Sequence, residues 1–168
     1  MGTPQTHVRL ITDSQGRNHY PAAMSHAYAH NLMHCVFSTK ERQHLIRDPE
    51  SLWRYTVGLA YQKKICVISA GGTTNHAHLL VLVPQTLPLA KVMQEIKANT
   101  SRWLRESSRA FQWQAGYGAF SVSQSQRDVV AQYIANQPEH HRKRSFEEEF
   151  VALLQKSGID YDPRYVFG

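Results

Sequence analysis

The sequence predicts an α+β fold, in which one antiparallel sheet is covered by helices mainly on one face. Short apolar segments of strand length occupy residues 28–39, 65–70 and 73–83, and each is bounded by polar or glycine-containing turns. Between and after them, apolar residues recur every third or fourth position, as in amphipathic helices. The chain of 168 residues is long enough for one domain with a substantial core and short for two.

The charge of the chain favours an anionic binding partner. The formal net charge is +6 and the calculated pI is about 9.5, a balance that is typical of proteins that bind nucleic acid. Many small basic proteins nevertheless bind nothing anionic, so charge alone does not identify the partner.

Cysteine usage and hydropathy predict a cytoplasmic protein. Cys35 and Cys66 lie within apolar, strand-like segments, which favours reduced core cysteines over a disulfide framework. No apolar run reaches the roughly 18 residues that a membrane span needs, and the N-terminus lacks the apolar centre of a secretory signal. We therefore expect no membrane partner.

The predicted domain organisation is simple. Residues 1–23 are polar and show no sustained period, so we interpret them as a flexible leader before a single domain at 24–168. Residues 28–39 open this domain with a strand that carries apolar side chains on both faces, as in the interior of a sheet.

A helix and a hairpin follow this first strand. Residues 49–64 carry an amphipathic stripe and predict the helix. Residues 65–70 and 73–83 then predict two antiparallel strands, joined across Gly71 and Gly72.

The next helix begins near Pro88, a residue that is favoured in the first helical turn. One side of this helix is apolar and the opposite side is basic. The basic side could contact the phosphates of a DNA backbone, although a charged helix face is just as often simply solvated. The candidate DNA-binding residues are Lys91, Lys97, Arg102, Arg105 and Arg109.

The last third of the chain predicts a β excursion and two further helices. Residues 111–123 are rich in aromatics and contain two glycines, which favours a hairpin or a β-like excursion. A capping box at residues 123–126 opens a helix that Pro138 stops after Gln137, and a second box at 145–148 opens the final helix. This order of strands and helices predicts a ferredoxin-like arrangement.

Two histidines at the start of the third strand are the candidate functional pair. Because strand side chains alternate between faces, His76 and His78 are expected to point the same way. Two imidazoles on one rigid face are suited to bind a metal ion. The pair alone is a weak signal, since same-face histidines in strands are more often structural.

A later helix offers a nucleophile. Tyr133 and Gln137 are four residues apart and are expected to share a helix face. Beside a cation that polarises a phosphate oxygen, a phenol can attack phosphorus and form a covalent ester, while the amide oxygen can ligate the same cation. A tyrosine at the core boundary with its hydroxyl hydrogen-bonded explains the spacing equally well.

The residues that carry this chemistry belong to a wider resemblance. The sequence resembles the single-tyrosine HUH transposases of the IS200/IS605 family, and in particular the relatives that process repetitive extragenic palindromes. The similarity covers about residues 25–165 and includes NHAHLLV at 75–81, YIANQ at 133–137, WQAGYGAF at 113–120 and FEEEF at 146–150.

This resemblance implies a ferredoxin-like homodimer that cleaves and rejoins single-stranded DNA near a hairpin. His76, His78 and Gln137 match the ligands of a divalent metal, Mg²⁺ or Mn²⁺, in that family. Tyr133 matches the nucleophile, which forms a 5′-phosphotyrosine and frees a 3′-hydroxyl. In such dimers the tyrosine helix of one subunit can complete the histidine site of the other.

Two positions depart from the family pattern. Ala77 is smaller than the bulky apolar residue that is usual there, and Asn75 stands where relatives often carry an acid. Neither change removes a ligand, but both can alter metal affinity. Two imidazoles also suit Mn²⁺ or Zn²⁺ better than Mg²⁺, which prefers oxygen ligands.

Two other functions are alternatives to the transposase. The first is a regulator that kept the fold, binds hairpin or single-stranded DNA and lost catalysis. The second is a nucleotide hydrolase of the histidine-triad kind, which needs a third same-face histidine at position 80, where this sequence has Leu80. The second alternative is therefore poor.

Overall fold

The computed structural model describes residues 29–167, and its centre is a four-stranded antiparallel sheet. The leader predicted for residues 1–23 lies outside the described residues. The order of the strands across the sheet is β2-β3-β1-β4, so β3 and β1 are central. In chain order the strands are β1 (Asn31–Ser38), β2 (Cys66–Gly72), β3 (His76–Val83) and β4 (Gly118–Ser121).

Within the described part of the chain, five α-helices accompany the sheet and confirm the predicted α+β class. Among residues 29–167, no helix combines the length and the apolar character needed to cross a bilayer. The helices are α1 (Pro49–Gln62), α2 (Leu89–Ser107), α3 (Arg127–Ala135), α4 (Gln137–His140) and α5 (Phe146–Lys156).

One face of the sheet is covered by the two longest helices, α1 and α2. The core on this side joins Cys35, Leu79 and Val81 of the central strands to Leu52 of α1 and Met93 of α2. All five side chains are completely buried, and the burial of this apolar surface is the main favourable contribution to folding.

The opposite face is covered by α3 and α5. Leu32 and Leu80 of the central strands pack against Ile134 of α3, while Val36 packs against Phe146 of α5. These strand residues alternate with those of the first face, as the period of two requires. Helices therefore lie on both faces, and the second face is more fully covered than the sequence indicated.

The helix that carries Tyr133 is shorter than predicted. We expected it to run to Gln137, but α3 ends at Ala135 and a separate helical turn, α4, begins at Gln137. Pro138 lies in the first turn of α4, where its missing N–H removes no hydrogen bond. Of the two predicted capping boxes, the one at 145–148 forms, whereas the Ser123 side chain makes no capping hydrogen bond.

Residues 111–123 form an extended segment that contains one strand, β4. Trp113 makes an isolated bridge to Thr39, and β4 then pairs with the free edge of β1. The alternative prediction of a two-stranded hairpin is therefore wrong. The segment instead extends the main sheet by one short strand.

Gly71 allows α3 to approach β2 closely, and a side chain there is expected to destabilise the protein. A Cβ at this position would overlap the Ile134 carbonyl oxygen, which belongs to the backbone and cannot rotate away. We expect Gly71→Ala to lower the free energy of unfolding by about 3 kcal/mol in urea denaturation.

Gly58→Ala is the matched control for this prediction. Nothing lies within 4 Å of a Cβ added at Gly58, which is an exposed position within α1. This change should stabilise the protein by about 0.5–1 kcal/mol. Similar free energies of unfolding for the two variants would contradict the close approach at Gly71.

Candidate active site

Three histidines lie side by side on the face of the sheet that α3 and α5 cover. His76 and His78 project from β3 on the same face, as the strand alternation predicted, and both are buried. Val36 of β1 is directly opposite His78, which places His34 in the diagonal position. His34 Nε2 lies 2.9 Å from His78 Nδ1, so the neighbouring strand fixes the ring of His78.

The ring of His76 is fixed by the turn before β3. Its Nδ1 lies 2.7 Å from Asn75 Oδ1 and 3.0 Å from Thr73 Oγ1. The Asn75 amide is oriented by its Nδ2, which donates to the Arg42 carbonyl at 3.2 Å. Because Asn75 Oδ1 can only accept, Nδ1 of His76 carries the ring proton and Nε2 is left for a ligand. Gln137 Oε1 is 3.4 Å from this Nε2.

A buried carboxylate, Glu149 of α5, joins the histidines to Tyr133. Glu149 Oε1 accepts a short hydrogen bond from the Tyr133 hydroxyl and a 2.9 Å bond from Gln137 Nε2. Glu149 Oε2 lies 2.9 Å from His141 Nε2 and 3.3 Å from His78 Nε2. With only 2% of its surface exposed, this carboxylate is shielded from water and depends on these contacts.

His34, His76 and His78 favour the neutral form. Burial, followed by the charge of His78, lowers the pKa of both His34 and His76 to about 3. Burial also lowers the pKa of His78, although Glu149 opposes this shift. Neutral imidazole is the form that binds metal ions, so the site needs no deprotonation of these rings at neutral pH.

Glu149 and Tyr133 are shifted in opposite directions. Burial raises the pKa of Glu149, but His141 and His78 outweigh it and hold the pKa well below its usual range. Burial, together with the hydrogen bond and charge of Glu149, raises the pKa of Tyr133. Tyr133 is therefore a protonated phenol that donates to an ionised carboxylate.

The cluster also has the donor set of a metal site. Ligand atoms of His76, His78, His141 and Glu149 all lie within 4.8 Å of one another. Apart from the 3.3 Å approach of Glu149 Oε2, His78 Nε2 is buried without a well-formed hydrogen bond within the described residues, so this ligand atom faces the cluster. Three imidazole nitrogens and a carboxylate fit a divalent first-row metal such as Mn²⁺ or Zn²⁺ better than they fit Mg²⁺.

The predicted DNA-binding cations do not join this cluster. They lie on or just after α2, which packs against the other face of the sheet. Lys91 pairs with Glu95 at 3.0 Å. Lys97 Nζ donates to three successive carbonyls of the following loop, and burial lowers its pKa to about 8. Arg105 Nε donates to another loop carbonyl.

Two of these five cations remain available to a ligand. Arg102 and Arg109 are exposed, and neither side chain makes a hydrogen bond or an ion pair within residues 29–167. If α2 contacts a phosphate backbone, these two arginines are the side chains that can do so without breaking an existing bond.

Glu149, His141 and His34 join the site although the sequence did not indicate them as site residues. Glu149 is one of three successive acids in the first turn of α5, where the helix dipole favours negative charge, so its presence there needs no other explanation. It lies three residues after Phe146 and four before Leu153, inside the apolar stripe of α5, and a charge on a buried stripe indicates a partner. His141 lies in a run that the sequence presents as a basic linker, and no sequence signal pairs His34 with His78 because strand register is not visible in one sequence.

A family model for IS200-like transposases matches residues 27–137, the segment that contains the histidine pair, Tyr133 and Gln137. The chain belongs to this family. None of the curated proteins matches the sequence. The match ends at Gln137, so in this IS200-like transposase His141 and Glu149 come from the segment that follows the matched region.

Two solved structures share the fold of this IS200-like transposase. A putative transposase from Deinococcus radiodurans has a TM-score of 0.54 at 19% identity and covers 70% of this chain and 98% of its own. A REP-associated tyrosine transposase, solved with a bound REP hairpin, has a TM-score of 0.53 at 13% identity and covers 72% of this chain and 74% of its own. At these identities the likeness shows the fold.

Proposed function

We propose that this transposase cleaves and rejoins single-stranded DNA near a hairpin, through a 5′-phosphotyrosine on Tyr133. The observation that carries the proposal is the convergence of the Tyr133 hydroxyl and His78 on one carboxylate, Glu149, with a ligand atom of His76 within 4.8 Å of it. A phenol beside a cluster of metal-binding side chains is the arrangement that attack on a phosphodiester requires.

The residues of the cluster have distinct proposed roles. His76, His78 and Gln137 hold the divalent metal, Mg²⁺ or Mn²⁺, and Glu149 and His141 offer further donors within the same cluster. A cation bound there would supply positive charge that polarises a phosphate oxygen and offsets the charge of Glu149. Asn75 and His34 position the two ligand rings through their Nδ1 atoms.

The proposed cleavage step balances within these groups. Tyr133 Oη forms a bond to phosphorus as the bond from phosphorus to the 3′ oxygen breaks. Glu149 accepts the hydrogen bond of the phenol and takes its proton, and it returns this proton through water to the departing oxygen, which ends as a 3′-hydroxyl. Attack of a 3′-hydroxyl on the phosphotyrosine reverses these changes, so joining needs no nucleotide cofactor.

The macromolecular partners are part of the same proposal. The free arginines beside α2, Arg102 and Arg109, are the first candidates to contact the hairpin. Lys91, Lys97 and Arg105 are further candidates, although each already has a partner within the protein. A REP hairpin is bound by one protein of similar fold, which supports a hairpin ligand. We further propose that the protein acts in the cytoplasm as a homodimer.

A covalent-adduct assay tests the proposed function. The protein is mixed with a single strand that carries a hairpin and Mn²⁺, and the products are resolved on a denaturing gel. We expect a DNA-linked protein band that requires Mn²⁺ and disappears when EDTA is added first. An adduct of equal yield in EDTA would contradict the metal role.

A non-catalytic regulator of DNA hairpins is the second candidate. It is favoured by the hydrogen bond that ties Tyr133 to Glu149 and raises the pKa of the phenol, because a tethered and protonated phenol is a weak nucleophile. Tight hairpin binding without an adduct across many strands and metals would support the regulator over the enzyme.

A further inference from the structure

A groove of about 940 Å³ opens beside Tyr133, along α3, α4 and the turn that follows. We refer to it as the α3–α4 groove. One wall is formed by side chains of α3 and the other by α4 and the turn after it. Its lining includes Gln132, Tyr133, Asn136, His140, Lys143 and Arg144.

The charge of the α3–α4 groove is positive and not balanced locally. Lys143 and Arg144 are exposed, and neither side chain forms a hydrogen bond or an ion pair within the described part of the chain. Glu139 is the acid of the lining, and it is paired with Arg142 at 3.2 Å. The groove therefore offers two cations without a counterion.

Two amides among the remaining lining residues are suited to a sugar-phosphate backbone, beside the apolar Val129. Gln132 and Asn136 are exposed amides on the α3 wall, and such side chains commonly bond phosphate and sugar oxygens without reading the base sequence. Tyr133 belongs to the same wall, so a strand that lies in the groove passes beside this residue. The volume is near the upper end of the roughly 300–1,000 Å³ of ordinary ligand pockets, which leaves room for more than one phosphate.

We propose that the α3–α4 groove binds the backbone of the single strand next to the scissile phosphate, with Lys143 and Arg144 contacting its phosphates. This inference rests on the proposed function, because it takes Tyr133 as the attacking group. In this arrangement the single strand lies on the face of the sheet that α3 covers. The arginines beside α2 lie on the opposite face, where they can contact the hairpin.

The test measures how affinity for an unstructured single strand depends on salt. Fluorescence anisotropy with a labelled oligonucleotide lacking a hairpin gives the slope of log K against log salt concentration. For a single strand, each phosphate that the protein no longer neutralises should reduce this slope by about 0.7. We expect Lys143→Gln with Arg144→Gln to reduce the slope by about 1.4, twice that amount.

Arg102→Gln with Arg109→Gln is the matched control, since it removes the same charge from exposed positions across the sheet. It should leave the slope for the unstructured strand unchanged and weaken binding of a hairpin. Equal slopes for the wild type and the groove variant, or equal reductions in both variants, would overturn the groove proposal. If the wild type binds strands but forms no adduct, the proposed reaction is rejected. The salt dependence of affinity in the two variants then still shows whether the groove binds the strand.

Discussion

A Tyr133→Phe variant is expected to form no covalent adduct with single-stranded DNA and to bind the strand almost normally. The change deletes the oxygen that would attack phosphorus, so adduct yield should fall by at least about a thousandfold. The ring keeps its edge contacts with His34 and His78, whose centroids are 6.1 and 6.2 Å away. Glu149 loses one donor and keeps those from Gln137 and His141.

The adduct yield is measured on a denaturing gel and strand affinity by anisotropy. Tyr161→Phe is the matched control, because the Tyr161 hydroxyl only accepts an exposed 3.3 Å hydrogen bond from Gln155. This variant should retain full adduct yield. An adduct that persists in Tyr133→Phe would reject Tyr133 as the nucleophile and direct the search to another hydroxyl.

Glu149→Ala is expected to destabilise the metal-free protein by about 3–5 kcal/mol, because it removes the acceptor shared by Tyr133, Gln137 and His141. Buried donors without a partner retain the full cost of dehydration, and breaking a buried charged cluster on one side is among the most destabilising changes known. Urea denaturation in EDTA measures the decrease in the free energy of unfolding.

The neighbouring Glu147 provides the control for this prediction. Glu147 pairs with Arg42 at 2.7 Å, but both side chains are partly exposed, and exposed ion pairs contribute about 1 kcal/mol or less. Glu147→Ala should therefore have a small effect. If Glu149→Ala were no more destabilising than Glu147→Ala, the hydrogen bonds of Glu149 to Tyr133, Gln137 and His141 would not contribute to stability as proposed.

The sheet and its histidine pair were predictable because local periodicity determines them. Apolar runs of strand length locate β1 and β3, and the two-residue period of a strand places His76 and His78 on one face. The ends of elements are less predictable. Pro138 has the sequence signature of a stop signal, yet a proline in a first helical turn is equally favourable, and the choice depends on packing against the sheet.

The rest of the site depends on contacts between elements that are distant in sequence. Glu149 reaches Tyr133 only because α5 lies beside α3, and His34 reaches His78 only because of the register of β1 against β3. Neither of these two contacts can be read from a single sequence. The position of Glu149 within the apolar stripe of α5 is the one sequence signal that could have identified it as a site residue.

The interruption at Asn136 separates the candidate nucleophile from the candidate amide ligand. Tyr133 belongs to α3 and Gln137 to α4, with a non-helical residue between them. In one continuous helix, any tilt that moved the phenol would move the amide with it. Across the interruption the two groups are instead linked through Glu149 Oε1, which accepts a hydrogen bond from both of them, so their relative position depends on a carboxylate of a third helix, α5.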